Sequence, residues 1–437
     1  MHERSFQSET KAFAPLLLMH ALLTLSLMLA GKFNLLSAWI TPQGYTYIAS
    51  DSIDCHWKAI DLMHKLQHGQ FGLWWIVDSR FHTRCASLCY WLWGNWTGLG
   101  VLSYWPVNIT AFWTLWIVWR RLIMHLGGRT IHPSWGWLCL PTLMFHCTQL
   151  IRDPLYLAFG LIWLIACLDF IKSQDSRTSS KALLTVLICC PFLFWVRERF
   201  WILTQLTVLI WLFGFIFSAC IKKSKWSTVC KIFLLCIFIN ISSIPKTLKR
   251  ISFFEETVLS SEEKFHESAK LHFFSKIAGL RNEFIERYNQ SSDLDQHIQF
   301  YSDSDVVRYI PRALQIANFM PFPSMWFQHE GKTGHVGRLI SALEICFIWL
   351  ILAILICTFP HWWKNPCYLM CIGLILVHYC ALGCVIVNGG ALYRMRYLCW
   401  LMIMAMGIAQ HSNLRYFKIY NWFRVNFFLK KTAQSQS

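Results

Sequence analysis

Long apolar runs recur along the whole chain, each closed by a short polar gap, and few folds accommodate that alternation. A water-excluding core has no use for so many, so the bilayer is the solvent such runs suit. Inside hydrocarbon a backbone must satisfy its own hydrogen bonds, which it does here by coiling into helices. Composition agrees: 55% of the 437 residues are hydrophobic and only 14% charged, with 24 Trp and 33 Phe. An ordinary soluble chain carries about 25% charged residues. The expected class is an all-α polytopic membrane protein.

Ten spans are expected, near 13–30, 102–119, 135–150, 155–170, 182–195, 200–221, 229–244, 339–359, 367–387 and 391–409. Several fall short of the roughly 20 residues of a straight crossing. Basic residues orient them. With the N-terminus, Arg4 and Lys11 in the cytoplasm, one side receives Arg120, Arg121 and Arg129, then Lys172, Arg177 and Lys181, then Lys222, Lys223, Lys225 and Lys231, then Lys364. The tail adds Arg415, Lys418, Arg424, Lys430 and Lys431 to that side. This is the positive-inside bias, with both termini cytoplasmic. The first run lacks a small-residue cleavage site and reads as a retained helix. The expected organisation is a transmembrane module over 1–244 with a first outer loop at 31–87, an outer-side loop domain over 245–338, C-terminal transmembrane helices over 339–410 and a basic cytoplasmic tail over 411–437.

The formal charge of +17 does not indicate nucleic acid. The basic residues punctuate apolar runs instead of forming a stripe on a soluble face, and they match anionic lipid. Eighteen cysteines lie mostly within the runs, and no histidine completes a metal set around Cys85/Cys89, Cys367/Cys371 or Cys380/Cys384. They read as small buried hydrophobes, and no metal site is expected.

Between spans one and two, residues 54–70 pattern as an amphipathic helix with Trp57, Ile60, Leu62, Met63 and Leu66 on its apolar side. Residues 88–105 are apolar enough to insert, but their glycines, Asn95 and aromatic rings suit an interfacial or re-entrant segment. In the large loop, 273–288 has helical periodicity. Pro311, Pro321 and Pro323 are expected to break regular structure over 309–327, leaving its aromatic residues at the membrane surface.

Four polar gaps fall on the outer side of this topology: Asp51-Ser52-Ile53-Asp54, Arg152-Asp153-Pro154, Arg197-Glu198-Arg199 and Tyr393-Arg394-Met395-Arg396. Acids and arginines gathered on one face suit an anionic ligand, because the guanidinium fork matches phosphate oxygens in pairs. Asp51 or Asp54 is placed to take the proton of an alcohol nucleophile, while Asp54 equally suits capping of the helix it precedes. Asp153 before Pro154 also reads as a plain helix start. Arg197 and Arg199 bracket Glu198, either as an internal salt bridge or as a phosphate clamp. Arg394 and Arg396, two apart, diverge on a helix, so one of them points at a shared ligand. Arg308 and Arg312 add a basic face on the large loop, and Glu344 and His378 lie inside expected helices, as catalytic groups or as interhelical hydrogen bonds.

The chain resembles the C-type glycosyltransferase superfamily, and within it the bacterial branch related to protein O-mannosyltransferases and aminoarabinose transferases. Three stretches carry the likeness: DSIDCHWKAIDLMHKLQHGQF in the first outer loop, IRDPLYLAFGLIWLIA after the third span, and ALYRMRYLCWLMIMAMGIA at the end. The resemblance implies a membrane enzyme that moves a sugar from a polyprenyl-phosphate donor to a glycan, glycolipid or protein acceptor, with its active site on the periplasmic face of a bacterial inner membrane. It implies Asp51 (or Asp54) and Asp153 as catalytic acids. Arg394 or Arg396, with Tyr393, Arg197 and Arg152, would meet the carrier phosphate, and Glu198, Arg199, Arg308 and Arg312 stand as further candidates. A divalent ion is compatible with such a site and no ligand cluster demands one. Two other functions fit the same layout: a polymerase or ligase of lipid-linked polysaccharide, and a transporter or flippase of a lipid-linked sugar. The large outer region departs from the family pattern, interrupting the chain between spans seven and eight and leaving the acceptor unconstrained.

Overall fold

The computed structural model describes residues 2–47, 50–76, 81–128, 140–222, 226–241, 273–287, 294–327 and 334–411. Among them every regular element is helical, apart from one bridge between Ile40 and Thr46. In chain order the helices are α1 (His2–Lys32), α2 (Ser50–Gln67), α3 (Phe71–Ile76), α4 (Phe81–Thr97), α5 (Val101–His125) and α6 (Pro141–Cys147). They continue with α7 (Asp153–Lys172), α8 (Ser176–Val196), α9 (Glu198–Lys222), α10 (Trp226–Ile241), α11 (Phe273–Arg287) and α12 (Asp303–Phe319). The last are α13 (Gly334–Cys357), α14 (Phe359–Trp362), α15 (Pro366–Val385), α16 (Gly389–Met395) and α17 (Tyr397–His411).

Among the described residues, six helical stretches are long and apolar enough to cross a membrane: Phe13–Lys32, Val101–His125, Asp153–Lys172, Ser176–Val196, Gly337–Cys357 and Pro366–Val385. Leu203–Gly214 and Tyr397–His411 are apolar but shorter. Of the two remaining expected spans, the run at 229–244 is covered up to Ile241 by α10. The run at 135–150 holds only the seven residues of α6, about 10 Å of helix at 1.5 Å per residue, with 135–139 outside the described residues.

Side-chain contacts fix which helix ends lie together. Asn108 near the start of α5 donates to the Gln149 carbonyl (3.1 Å) just before α7, while Lys172 at the end of α7 donates to the His125 carbonyl (3.1 Å) at the end of α5. Helices α5 and α7 therefore run in the same direction. Helix α8 returns antiparallel to α7, bringing Arg197 to Asp153. At the opposite end, Lys231 of α10 donates to the Ser173 carbonyl. Two ends of one bundle result, one marked by Asp51, Asp153, Arg197 and Arg394, the other by His125, Lys172 and Lys231.

Three local expectations are revised. Residues 88–105 are divided between two helices instead of forming one span. Gly98, at φ +74°, turns the chain between α4 and α5, and α4 packs on α2 through Ala86, Cys89 and Tyr90. Trp57 is 59% exposed, on the opposite side of α2 from the buried Cys55, Ala59, Leu62, Met63 and Leu66. Pro311 sits within the unbroken α12, whose start is a capping box in which Ser302 and Asp305 each serve the other's backbone.

That last helix buries one face and leaves the other exposed. Its Val306, Tyr309, Ala313, Ile316 and Ala317 are buried, and a Cβ on Gly383 of α15 would collide with the Ala313 backbone, so only glycine admits so close a crossing. Beyond α12, Phe319 and Trp326 pack on Trp349 of α13 (centroids 5.8 and 6.2 Å), while Phe319 stays 41% and Phe327 65% exposed. Arg281 of α11 ties this region down. It donates to the carbonyls of Ile298 (3.0 Å), Asp295 (2.6 Å) and Cys384 (2.9 Å), with Phe300 and Tyr309 against its guanidinium. The basic tail, residues 242–272 and the orientation signals at Arg4, Lys11, Arg129, Lys223 and Lys225 lie outside what is described of backbone or side chain.

Candidate functional site

Asp51 stands in the first turn of α2, where a carboxylate complements the helix dipole. Where it points depends on how α2 is held. Beneath the helix, Tyr90 of α4 meets both Tyr45 (2.5 Å) and His56 Nδ1 (2.9 Å), and Cys55 meets His82 Nε2 (3.1 Å). Burial pushes His56 down from an ordinary 6.5 to about 4, so the ring is neutral in the folded protein. The preceding loop is fixed separately: the Thr46 amide donates to Gln149 Oε1 (3.0 Å), in the turn that leads to Asp153.

Arg394 belongs to α16. That helix starts at Asn388, whose side chain accepts from the Ala391 amide (3.1 Å) and so caps it. Arg394 Nη2 donates to Asp51 Oδ2 at 2.7 Å across 343 residues of sequence. The carboxylate is 41% exposed and the guanidinium 17%, so the pair is sheltered on the arginine side and open on the acid side. His146 of α6, buried and edge-on to Tyr397 (5.8 Å), is within electrostatic reach of both charges.

Asp153 and Arg197 form a second carboxylate–guanidinium pair at the same end. It is closed, with side-chain exposures of 4% and 5%. Tyr156 lies under the guanidinium (5.1 Å) and shares a hydrogen bond with His378 Nε2 (3.3 Å). His378 Nδ1 faces the Leu374 carbonyl (2.9 Å), which can only accept, so Nδ1 carries the hydrogen and Nε2 receives the Tyr156 hydroxyl.

The remaining sequence candidates take other places. Asp54 neither caps α2 nor joins the pair: it is a helix-interior residue on the exposed face, bridged to Lys58 (2.7 Å). Arg396 is 0% exposed, donating to the Ala317 carbonyl (3.1 Å) between the faces of Tyr393 (4.7 Å) and Trp400 (4.3 Å). Full burial removes it from any exposed ligand, and the divergence expected of Arg394 and Arg396 is what the helix produces. Tyr393 is also buried, donating to Glu344 instead of facing a phosphate. Arg312 binds both oxygens of Asp295 (2.9 and 3.2 Å) and Gln315 (2.9 Å), which pulls Asp295 below the usual carboxylate range and commits the arginine to the segment before α12. Arg308 is exposed on α12, and Arg152 is half-buried in the turn before α7. The side chains of Glu198 and Arg199 lie outside the described residues.

Sequence reasoning passed over His146, Arg281 and the Tyr45–His56–Tyr90 group. Nothing in their spacing distinguishes them from ordinary polar punctuation, and each is defined by partners distant in sequence. Comparison with protein-family models, with curated proteins and with solved structures matches this chain to none of them.

Proposed function

We propose that this chain is an integral membrane transferase that takes a sugar from a polyprenyl-phosphate donor and passes it to an acceptor hydroxyl at the Asp51 end of the bundle, facing the periplasm. The observation that carries the reading is the Asp51–Arg394 pair, a carboxylate and a guanidinium from opposite ends of the chain, held together and partly open. These are the two groups an inverting glycosyl displacement needs. The carboxylate takes the acceptor proton while the acceptor oxygen attacks the anomeric carbon. As that carbon's bond to the carrier phosphate oxygen breaks, negative charge gathers on the phosphate, where a preorganised guanidinium is most effective.

The resting pair also sets an order of events. Arg394 is engaged by Asp51 until a stronger bidentate partner arrives, and a phosphate is such a partner. Donor binding then draws the guanidinium toward the phosphate and frees the carboxylate as the base. The closed Asp153–Arg197 pair takes no proton and meets no ligand in this scheme; it joins the start of α7 to the end of α8 and so holds the floor of the site.

The test is binding of polyprenyl monophosphate to the full chain in lipid nanodiscs. Arg394→Ala should weaken binding about 10–100-fold, as loss of a charged hydrogen bond to phosphate does, and Arg312→Ala should leave it unchanged. Equal affinity in wild type and Arg394→Ala, or no binding by wild type, sinks the reading.

A further inference from the structure

Glu344 presents a problem that the proposed chemistry does not use. It is a carboxylate 1% exposed inside α13, where an ionisable group is expensive unless it is fully partnered. Here it is. The Thr142 amide donates to Oε1 (2.7 Å), the Thr142 hydroxyl to Oε2 (2.5 Å), and the Tyr393 hydroxyl to Oε2 as well. With its hydrogen committed to Glu344, Thr142 Oγ1 accepts from the Tyr397 hydroxyl (2.6 Å).

One carboxylate thereby joins three elements, α6, α13 and α16, and two of them lead straight to the open pair. Tyr393 precedes Arg394 on α16. Thr142 lies four residues before His146 on one face of α6, and His146 is within electrostatic reach of Arg394 and Asp51. The other face of Tyr393 is covered by the Arg396 guanidinium, so the phenol ring is held on both its edge and its face. A seven-residue helix has little stability of its own, and its orientation is set by such ties.

We propose that Glu344 is a positioning residue: by holding the Tyr393 hydroxyl it fixes the rotation of α16, and through it the direction in which Arg394 reaches toward Asp51 and the donor phosphate. The assignment rests on the transferase reading for its ligand, though not for its geometry. Tyr393→Phe removes the hydroxyl and keeps the ring that stacks on Arg396. It should weaken polyprenyl monophosphate binding roughly tenfold, the scale of one buried acceptor losing a donor. Glu344→Gln, which retains an acceptor oxygen, should lose less than Glu344→Ala. In an Arg394→Ala background Tyr393→Phe should cause no further loss. Equal loss with and without Arg394 would mean that the hydroxyl supports the fold alone and would overturn the proposal, as would no loss in either background.

A second readout needs no ligand. Thermal midpoints of Asp51→Asn, Arg394→Ala and the double variant give the coupling between those two residues, and that coupling should shrink when Tyr393→Phe is added. An unchanged coupling overturns the positioning role even if donor binding is never observed. A reduced coupling in a protein that binds no polyprenyl monophosphate overturns only the transferase reading.

Discussion

Two acid–arginine pairs stand at one end of the bundle and differ in almost nothing except water. Asp51–Arg394 leaves the acid 41% exposed, whereas Asp153–Arg197 is shut at 4% and 5%. An open pair gives up little when one partner is exchanged for a ligand. A closed pair has already lost the hydration of both charges, and removing one strands the other. The same two side-chain types therefore serve exchange in one place and cohesion in the other, and the difference arises from packing.

The largest expected effect separates the pairs by turnover. Asp51→Asn should lower sugar transfer by roughly 10²–10⁴-fold, the range for loss of a general base, while the thermal midpoint falls by no more than a partly exposed ion pair contributes. Transfer at the wild-type rate would break the comparison at its open end. The closed pair should answer oppositely. Arg197→Met alone should destabilise the protein by about 3–5 kcal/mol, with Asp153→Leu/Arg197→Met recovering most of the loss, as buried pairs replaced by apolar residues do. Denaturation in detergent measures both, and a mild single variant with a worse double would show that the pair is not sealed.

Smaller effects sharpen the contrast. If Asp51 competes with the donor for Arg394, then Asp51→Asn should bind polyprenyl monophosphate up to about fivefold more tightly, reflecting a partly exposed ion pair worth up to about 1 kcal/mol. Unchanged or weaker binding would argue against the exchange. The smallest expected effect is a pH dependence of the platform that carries Asp51. His56 falls below its ordinary 6.5 to about 4 on folding, so its neutral ring costs nothing above pH 6.5. As pH drops from 6.5 toward 4 the unfolded chain gains the proton first, and stability declines across that window. The midpoint should fall less steeply with acidification in His56→Gln, and identical slopes would remove His56 from the account.

Much of this architecture was legible from local pattern. The start of α7 at Asp153 and the divergence of Arg394 from Arg396 both follow from spacing within a few residues. Other features were not. Pro311 read as a breaker, yet α12 continues through it because packing of Tyr309, Ala313 and Ile316 outweighs one lost backbone bond. Trp57 read as apolar-face, yet α2 buries the opposite stripe against α4.

The sequence by itself determined that the chain is helical, that several of its helices are long and apolar enough for a bilayer, and that acids and arginines sit in the short gaps between them. Those properties depend on run length and on residues a few positions apart. Which acid meets which arginine was decided only in three dimensions. Asp51, Asp54 and Asp153 are chemically alike, as are Arg197, Arg394 and Arg396, and no pairing joins residues near enough in sequence for local spacing to select it. Helix packing chose among them, by opening one pair to solvent, sealing another, and burying Arg396 beneath Tyr393 and Trp400.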